Sequence, residues 1–280
     1  MRKKGVLLFA FILFLSGIIL PAGAQKPGGT AGRRYYRDWQ SLETKNFSLR
    51  YTEKDAAAAA WLAAVADRRA AEVAAVLPHT HGEKPWLVLV PDLATQRDIF
   101  GWEEGDGALG VYQSRTIVLL SPHAWDWIEE EARPGEFVTK NPLVHEYTHY
   151  VLDVRARGNY PRWFSEGLAS YLQDRLTGYA WPETGNLLFT GQYYSLERLT
   201  AEFASLPDQA LAYGQARSIV SYLAVLRGDV GLNSLLDRLG SGTTFSRALE
   251  EVYGLDTEAV FSAWQEWCRE DGSRDPLKAY

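Results

Sequence analysis

The string His145-Glu146-Tyr147-Thr148-His149, an H-E-x-x-H pattern, constrains this chain more than any other feature of its sequence. On an α-helix, side chains four positions apart lie on the same face, with Cβ atoms roughly 5–6 Å apart. The imidazoles of His145 and His149 can therefore reach one tetrahedral zinc ion at roughly 2.0–2.1 Å each. Glu146 is displaced around the helix, close enough to contact a zinc-bound water but poorly placed as a ligand. Two neutral ligands leave room for a third protein ligand and an open position, which is the arrangement of a catalytic zinc.

The residues around this string predict a buried helix. Asn141 can cap it, and Pro142 suits the first helical position, where a missing N–H costs nothing. A helix that is apolar on several sides is expected to lie in the core. The apolar residues are Leu143, Val144, Tyr147, Tyr150, Val151 and Leu152. Burying two imidazoles and a carboxylate without partners is costly, and a bound metal removes that objection. Gly158 and Pro161 then end the helix.

A second predicted helix, over residues 161–172, carries the candidate third ligand. Glu166 lies in its middle, surrounded by apolar residues. A lone Glu in such a stretch is ordinarily a solvated or capping residue, and it is the upstream H-E-x-x-H that favours a ligand here. A helix–turn–helix of this length can bring the second helix back across the first and point Glu166 at the metal.

The alternative third ligand is Asp153, one turn beyond His149. A straight helix spreads positions 145, 149 and 153 along its axis, so Asp153 is expected to lie beyond the metal. It is better placed to accept a hydrogen bond in the outer layer of the site, or to pair with Arg155 or Arg157.

The two helices together resemble those of the gluzincins, zinc peptidases whose metal is held by His, His and Glu. Pro161–Tyr171 is similar to the P-R-W-x-x-E-G-x-A-x-Y segment typical of the peptidase MA-like domains of bacterial secreted proteins. The resemblance covers roughly residues 45–270, with its most specific motifs at 145–171. It implies an α+β, zincin-like (gluzincin) fold with a small mixed β-sheet, an active-site helix pair and a helical C-terminal region. It also implies one Zn²⁺ per chain, held by His145, His149 and Glu166.

Two features depart from the better-known gluzincins. Sixteen residues separate His149 from Glu166, slightly fewer than in aminopeptidase-like gluzincins or thermolysin, and the loop at 154–160 absorbs the difference. The G-x-M-E-N type segment that binds the substrate amino terminus in those aminopeptidases is absent. The resemblance is therefore to a zinc metallopeptidase in general, and it does not extend to aminopeptidase activity.

The resemblance also implies how such an enzyme works. Glu146 accepts a proton from the zinc-bound water as that water attacks a peptide carbonyl, and it then delivers a proton to the leaving amine. A strand along the cleft pairs with the extended backbone of the substrate, a role that falls to residues 108–112. These are Ala108, Leu109, Gly110, Val111 and Tyr112.

In aminopeptidase-like gluzincins, a tyrosine downstream of the zinc ligands donates a hydrogen bond to the oxyanion. Tyr213 occupies a similar place in chain order, and the alternative is that it is a tyrosine of the core.

For the whole chain, the competing class is a binding or structural protein that retains the zincin fold and uses zinc only for stability. The intact Glu146 argues against it, because a purely structural site needs ligands but no general base.

The first 24 residues predict a signal peptide. Arg2, Lys3 and Lys4 form a basic region, an apolar stretch follows from Val6 to Leu20, and Ala22-Gly23-Ala24 is an A-x-A cleavage site. The mature chain is expected to begin at Gln25 and to be extracytoplasmic, periplasmic or secreted. The alternative is an uncleaved anchor, but the apolar stretch falls short of the ~20 residues that span a bilayer. No later segment is expected to insert stably into a membrane.

The net charge and the cysteine content exclude some classes of binding partner and one source of stability. Loss of three positive charges with the leader takes the formal net charge from −6 to −9. An acidic exported protein is not built to bind nucleic acid or anionic membrane surfaces. The resemblance to the metallopeptidases implies a peptide or protein substrate as the partner. Cys268 is the only cysteine, which excludes an internal disulfide.

Four regions are predicted along the chain: the signal peptide at 1–24, a flexible leader at 25–40, a zincin catalytic region at 41–175 and a helical C-terminal subdomain at 176–280. Within them, Asp55 is expected to cap an alanine-rich helix that runs to about Leu77. Predicted strands cover Phe47–Tyr51, Trp86–Val90, Gly107–Tyr112 and Thr116–Leu120. The C-terminal helices are expected to be separated by turns at Gly214, Gly228, Gly231, Gly240, Gly242 and Gly254.

Overall fold

The computed structural model of this chain describes residues 35–36, 38–80, 83–179 and 191–270. The predicted signal peptide, the predicted mature start at Gln25 and most of the predicted flexible leader lie outside these residues. The predicted division of the chain near residue 175 stays a prediction, although the described helices and strands share one hydrophobic core.

Five strands form one mixed sheet. They are β1 (Gln40–Glu43), β2 (Ser48–Tyr51), β3 (Trp86–Val90), β4 (Gly110–Gln113) and β5 (Thr116–Leu120). Their order across the sheet is β1-β2-β3-β5-β4. The three inner strands run parallel, and each edge strand runs antiparallel to its neighbour. β3 and β5 are apolar along almost their whole length because they are buried, as parallel strands generally are. The predicted α+β fold with a small mixed sheet is confirmed.

β4 and β5 form a hairpin whose turn fixes their register. Its two central residues, Ser114 and Arg115, have positive φ angles of 49° and 66°. This is the backbone of the two-residue type I′ turn, whose twist matches that of antiparallel strands. The turn pairs Gly110 with Leu119. It leaves β4 at the edge of the sheet, in contact with the helix that carries the H-E-x-x-H string.

Helices make up most of the remaining described structure. They are α1 (Ala56–Val76), α2 (Leu93–Phe100), α3 (Arg133–Lys140), α4 (Leu143–Ala156), α5 (Arg162–Thr177), α6 (Leu196–Glu202), α7 (Gln209–Gly240), α8 (Phe245–Tyr253) and α9 (Thr257–Glu270). Every residue of α4 from Leu143 to Leu152 is buried, as its apolar surface predicts. The helix begins one residue later than expected, because Pro142 precedes the first turn, but Asn141 does cap it, since the Leu143 N–H donates to Asn141 Oδ1 at 3.1 Å.

The expected cap of α1 was wrong. Asp55 does precede the helix, but its side chain makes no hydrogen bond to the first turn. Its two carboxylate oxygens instead accept hydrogen bonds from the hydroxyls of Thr52 and Ser121, and the residue is fully buried. The carboxylate thus ties the helix start to the segment after β5, a partner that no local sequence pattern reveals.

Two of the predicted glycine turns were also wrong, because Gly214 and Gly231 lie inside α7. The chain breaks at Gly228, whose φ of 58° and ψ of −160° are not helical. Among the described residues, α7 has the length and mean hydropathy, 1.3, of a membrane span, which the sequence analysis did not anticipate. Half of its most apolar window is buried inside the protein, as in a core helix.

Helices α5 and α7 approach closely at Gly167. A Cβ at this position would lie 2.5 Å from the carbonyl oxygen of Ala216, so only glycine fits without moving a backbone. This contact holds α5 between α4 on one side and α7 on the other. It thereby fixes the position of Glu166, the adjacent residue.

Candidate metal centre

Among the described residues, one group of three side chains could hold a metal ion, and it is formed by His145, His149 and Glu166. The two imidazole Nε2 atoms are 3.2 Å apart. Glu166 Oε2 lies 3.4 Å from Nε2 of His145 and 3.5 Å from Nε2 of His149. All three side chains are buried. The helix pair therefore brings together the residues that the sequence analysis selected, and the alternative, Asp153, is not in the group.

The donor set suits a divalent cation such as zinc, for which two imidazole nitrogens and one carboxylate oxygen are common protein ligands. The three groups also shift one another's pKa values. Burial by itself raises the pKa of Glu166, but the adjacent His149 and the hydrogen bonds from both imidazoles hold it well below its usual range. Burial lowers the pKa of His145, whereas the Glu166 carboxylate outweighs burial at His149 and raises its pKa. A buried carboxylate between two imidazoles is thus built to face positive charge.

Hydrogen bonds from outside the group hold the imidazole of His149 and the backbone of His145. Nδ1 of His149 lies 2.8 Å from the hydroxyl of Ser165, the residue before Glu166. The backbone N–H of His145 donates to Gln173 Oε1 at 3.1 Å. Both partners come from α5, so the second helix positions the histidines as well as supplying the third side chain. The sequence analysis missed Ser165 and Gln173, although Ser165 could have been suspected from its place beside Glu166.

Glu146 lies beside the group, fully buried. Within the described part of the chain, neither of its carboxylate oxygens has a hydrogen-bond partner of good geometry. Burial raises the pKa of Glu146 to about 8, and the Glu166 carboxylate adds to the rise, while His149 and the backbone N–H of Tyr112 act in the opposite direction. A carboxylate held this way binds a proton readily, which is the property that a general base requires.

Edge strand β4 packs directly over Glu146. A Cβ on Gly110 would lie 2.8 Å from Glu146 Oε1 and 2.5 Å from Pro142 Cγ, so glycine is what allows the strand to approach α4. Tyr112, on the same face of the strand, stacks its ring on His149 with centroids 6.4 Å apart. The predicted substrate strand therefore lies against both His149 and the candidate base.

The five residues predicted to bind the substrate differ in whether their backbone N–H and C=O groups already have partners within the protein. The N–H and C=O of Ala108 both bond to the side chain of Gln96 at 2.9 Å. Leu109 C=O accepts from the N–H of Leu120 in β5. Because hydrogen-bonding direction alternates along a strand, Val111 also faces β5, while Gly110 and Tyr112 face away from it. The open edge of β4 is thus formed by the backbone of these two residues, except for the Tyr112 N–H, which is directed at the Glu146 carboxylate.

Asp153 lies in the outer layer of the site. It accepts hydrogen bonds from the hydroxyls of Tyr160, at 2.6 Å, and Tyr112, at 2.9 Å. Of the two predicted alternatives, the outer hydrogen bond is therefore the one observed, and Arg155 binds Asp237 on α7. Asp153 therefore ties β4 to the loop between α4 and α5. Tyr160 was missed by the sequence analysis, because nothing local connects it to a carboxylate seven residues earlier.

Tyr213 lies on α7, half-buried, and packs edge-on against Phe203 with ring centroids 5.2 Å apart. The guanidinium carbon of Arg162 lies 5.8 Å from the same Phe203 ring. Tyr213 is thus connected to the α5 end of the site through Phe203. Its assignment to the oxyanion stays a prediction.

Comparisons with known proteins agree with this geometry. The model of the Peptidase MA superfamily matches residues 136–270, which contain α4, α5 and the three convergent side chains. No curated protein sequence matches the chain.

Among solved structures, leukotriene A4 hydrolase from Saccharomyces cerevisiae aligns with a TM-score of 0.45 and 10% identity, over 87% of this chain. Yeast LTA4 hydrolase in complex with bestatin aligns with a TM-score of 0.44 and 10% identity, over 85% of this chain. In both alignments this chain spans 38% of the other chain's length. Residues 136–270, which carry H-E-x-x-H on α4 and the convergent Glu166 on α5, thus match the model of the Peptidase MA superfamily.

Proposed function

We propose that this protein is a zinc-dependent metallopeptidase that hydrolyses peptide bonds, with Zn²⁺ held by His145, His149 and Glu166. One observation carries the proposal: three converging metal donors lie beside a buried carboxylate, Glu146, that has no hydrogen-bond partner of good geometry among the described residues. A structural zinc site has no use for such a fourth group. A hydrolase needs it as a base.

Zinc, when bound, polarises a carbonyl and lowers the pKa of a coordinated water toward about 7. The other steps belong to residues of this chain. Glu146 accepts the proton of the attacking water and afterwards gives a proton to the leaving amine, so that it is regenerated in each cycle. The hydroxyl of Tyr213 donates to the oxyanion that develops on the substrate carbonyl.

The open edge of β4 supplies the place for the substrate. The N–H and C=O of Gly110 and the C=O of Tyr112, which face away from β5, can pair with an extended peptide, which then adds a strand to the sheet. Because β4 lies directly over Glu146, a peptide bound in this way passes the base and the three metal donors. This arrangement favours a peptide or unfolded protein segment as substrate.

We also propose that the protein acts outside the cytoplasm. The basic residues at 2–4, the apolar stretch and the A-x-A site at 22–24 support cleavage of a signal peptide before Gln25. Fractionation of an expressing bacterium, followed by mass measurement of the exported protein, is expected to give a chain that starts at Gln25. A full-length protein retained in the cytoplasm would contradict this proposal.

The enzymatic proposal is tested on the chain from residue 25 onward, loaded with zinc and incubated with a library of quenched peptides. Glu146→Gln keeps the size and polarity of the side chain but removes the base. We expect zinc content and melting temperature to be nearly unchanged and turnover to fall by about 10²–10⁴-fold. His145→Ala is the matched control in which metal and activity should be lost together. Equal turnover by Glu146→Gln and the parent protein would refute the assigned mechanism.

A further inference from the structure

We infer that Arg162 is a positioning residue that holds the Glu166 carboxylate so that Oε2, and not Oε1, faces the two imidazoles. The inference rests on the proposed zinc site. It adds a residue that neither the H-E-x-x-H string nor the third ligand identifies.

The geometry divides the two oxygens of Glu166 between different partners. Oε2 lies 3.4 and 3.5 Å from the histidine Nε2 atoms, while Oε1 lies 3.4 Å from Nε of Arg162. Arg162 and Glu166 are four residues apart on α5, so both side chains lie on the same helix face. The carboxylate is therefore held from two sides, by the histidine pair on one oxygen and by a cation on the other.

The surroundings of Arg162 keep its guanidinium in place. Only 18% of the side chain is exposed. Its guanidinium carbon lies 5.8 Å from the centre of the Phe203 ring, and Phe203 is itself buried. A charge–carboxylate contact in such a water-poor place is stronger than one on the surface. A packed guanidinium also loses less freedom than a solvated one when it binds.

Removing this contact should release one side of the carboxylate. Oε1 would then be buried without its cation, and the carboxylate could turn about its terminal bond, which has a broad torsional preference. Both effects weaken the ligand without removing it. Outer contacts of this kind are generally worth about 10–100-fold in metal affinity.

The test compares Arg162→Gln with the parent protein by competition for zinc against a chromogenic chelator. We expect zinc affinity to fall by about 10–100-fold, with the circular dichroism spectrum unchanged. The visible absorption of the cobalt-substituted protein should also change, because it reports the orientation of the ligands. Arg175→Gln is the matched control: Arg175 lies on the same helix but pairs with Asp229, and its loss should leave zinc affinity and the cobalt spectrum unaltered.

Arg162→Lys covers the case in which Arg162→Gln does not fold. Lysine keeps the stem and the charge but lacks the planar fork that fixes a carboxylate, so a smaller loss, about tenfold or less, is expected. The inference would be overturned by a folded Arg162→Gln protein that has the zinc affinity and the cobalt spectrum of the parent protein. If only Arg162→Lys folds, the same two results in that variant would overturn it. Failure of the parent protein itself to bind zinc would instead refute the proposed function.

Discussion

When no cation is bound, Glu146 holds a proton near neutral pH, and His149 holds its proton more tightly than an ordinary histidine does. Burial raises the pKa of Glu146 to about 8, and the Glu166 carboxylate raises the pKa of His149 in spite of burial. A cation among the three donors favours the deprotonated form of each group and so lowers both pKa values. Zinc must therefore displace protons that the metal-free site has taken up.

This competition predicts that zinc binding releases protons and strengthens as the pH rises. The sign follows from the direction of the shifts, since a raised pKa makes each group more often protonated at a given pH, and the group must lose that proton to the cation. Calorimetry at pH 7 in two buffers of different ionisation enthalpy measures the number released. Glu146→Gln should release about one proton fewer than the parent protein. An identical count in both proteins would show that Glu146 is already ionised in the metal-free site.

At the scale of elements, the contact between β4 and α4 determines where the base lies. Gly110→Ala should push the strand away from the helix, because the added methyl would meet Pro142 and Glu146 at 2.5 and 2.8 Å. We expect turnover to fall by about 10²-fold, the usual effect of misplacing a reacting group by about 1 Å, with zinc still bound. Gly135→Ala on α3 is the control, since a methyl there meets nothing within 4 Å. Full activity in Gly110→Ala would mean that the strand does not constrain the base.

Elements with strong local patterns could be predicted from the sequence, and those without them could not. The apolar runs of β3 and β5 and the alanine-rich α1 were recognised almost to their ends. β1 and α3 were missed because β1 is a mostly exposed edge strand and α3 contains both a proline and a glycine. Gly214 and Gly231 were taken as turns because a glycine that serves close packing looks the same in sequence as one that ends a helix.

At the scale of the whole molecule, some residues of the candidate site could be predicted from the sequence and others could not. The two histidines, one helical turn apart, can be recognised from a single short motif. Glu166 can be recognised from its position in the helix that follows. Arg162, Ser165 and Tyr160 act through the orientation of their side chains after the two helices have packed. For Arg162 that orientation also depends on a segment far along the chain, since its guanidinium carbon lies 5.8 Å from the centre of the Phe203 ring. A local sequence pattern therefore identifies the candidate ligands but not the residues that orient their side chains.

The three candidate ligands also join α4 to α5, so a bound metal should stabilise the whole fold. A ligand that binds the native state alone contributes about 2.7 kcal/mol when its free concentration is about 100 times Kd. For a protein of this size, that corresponds to a rise in melting temperature of roughly 5–10 °C. Thermal unfolding of the metal-free protein with and without zinc measures the shift, and His145→Ala should lose it. If zinc still raises the melting temperature of His145→Ala by the same amount, the stabilising ion binds at another site, because the proposed site needs this histidine.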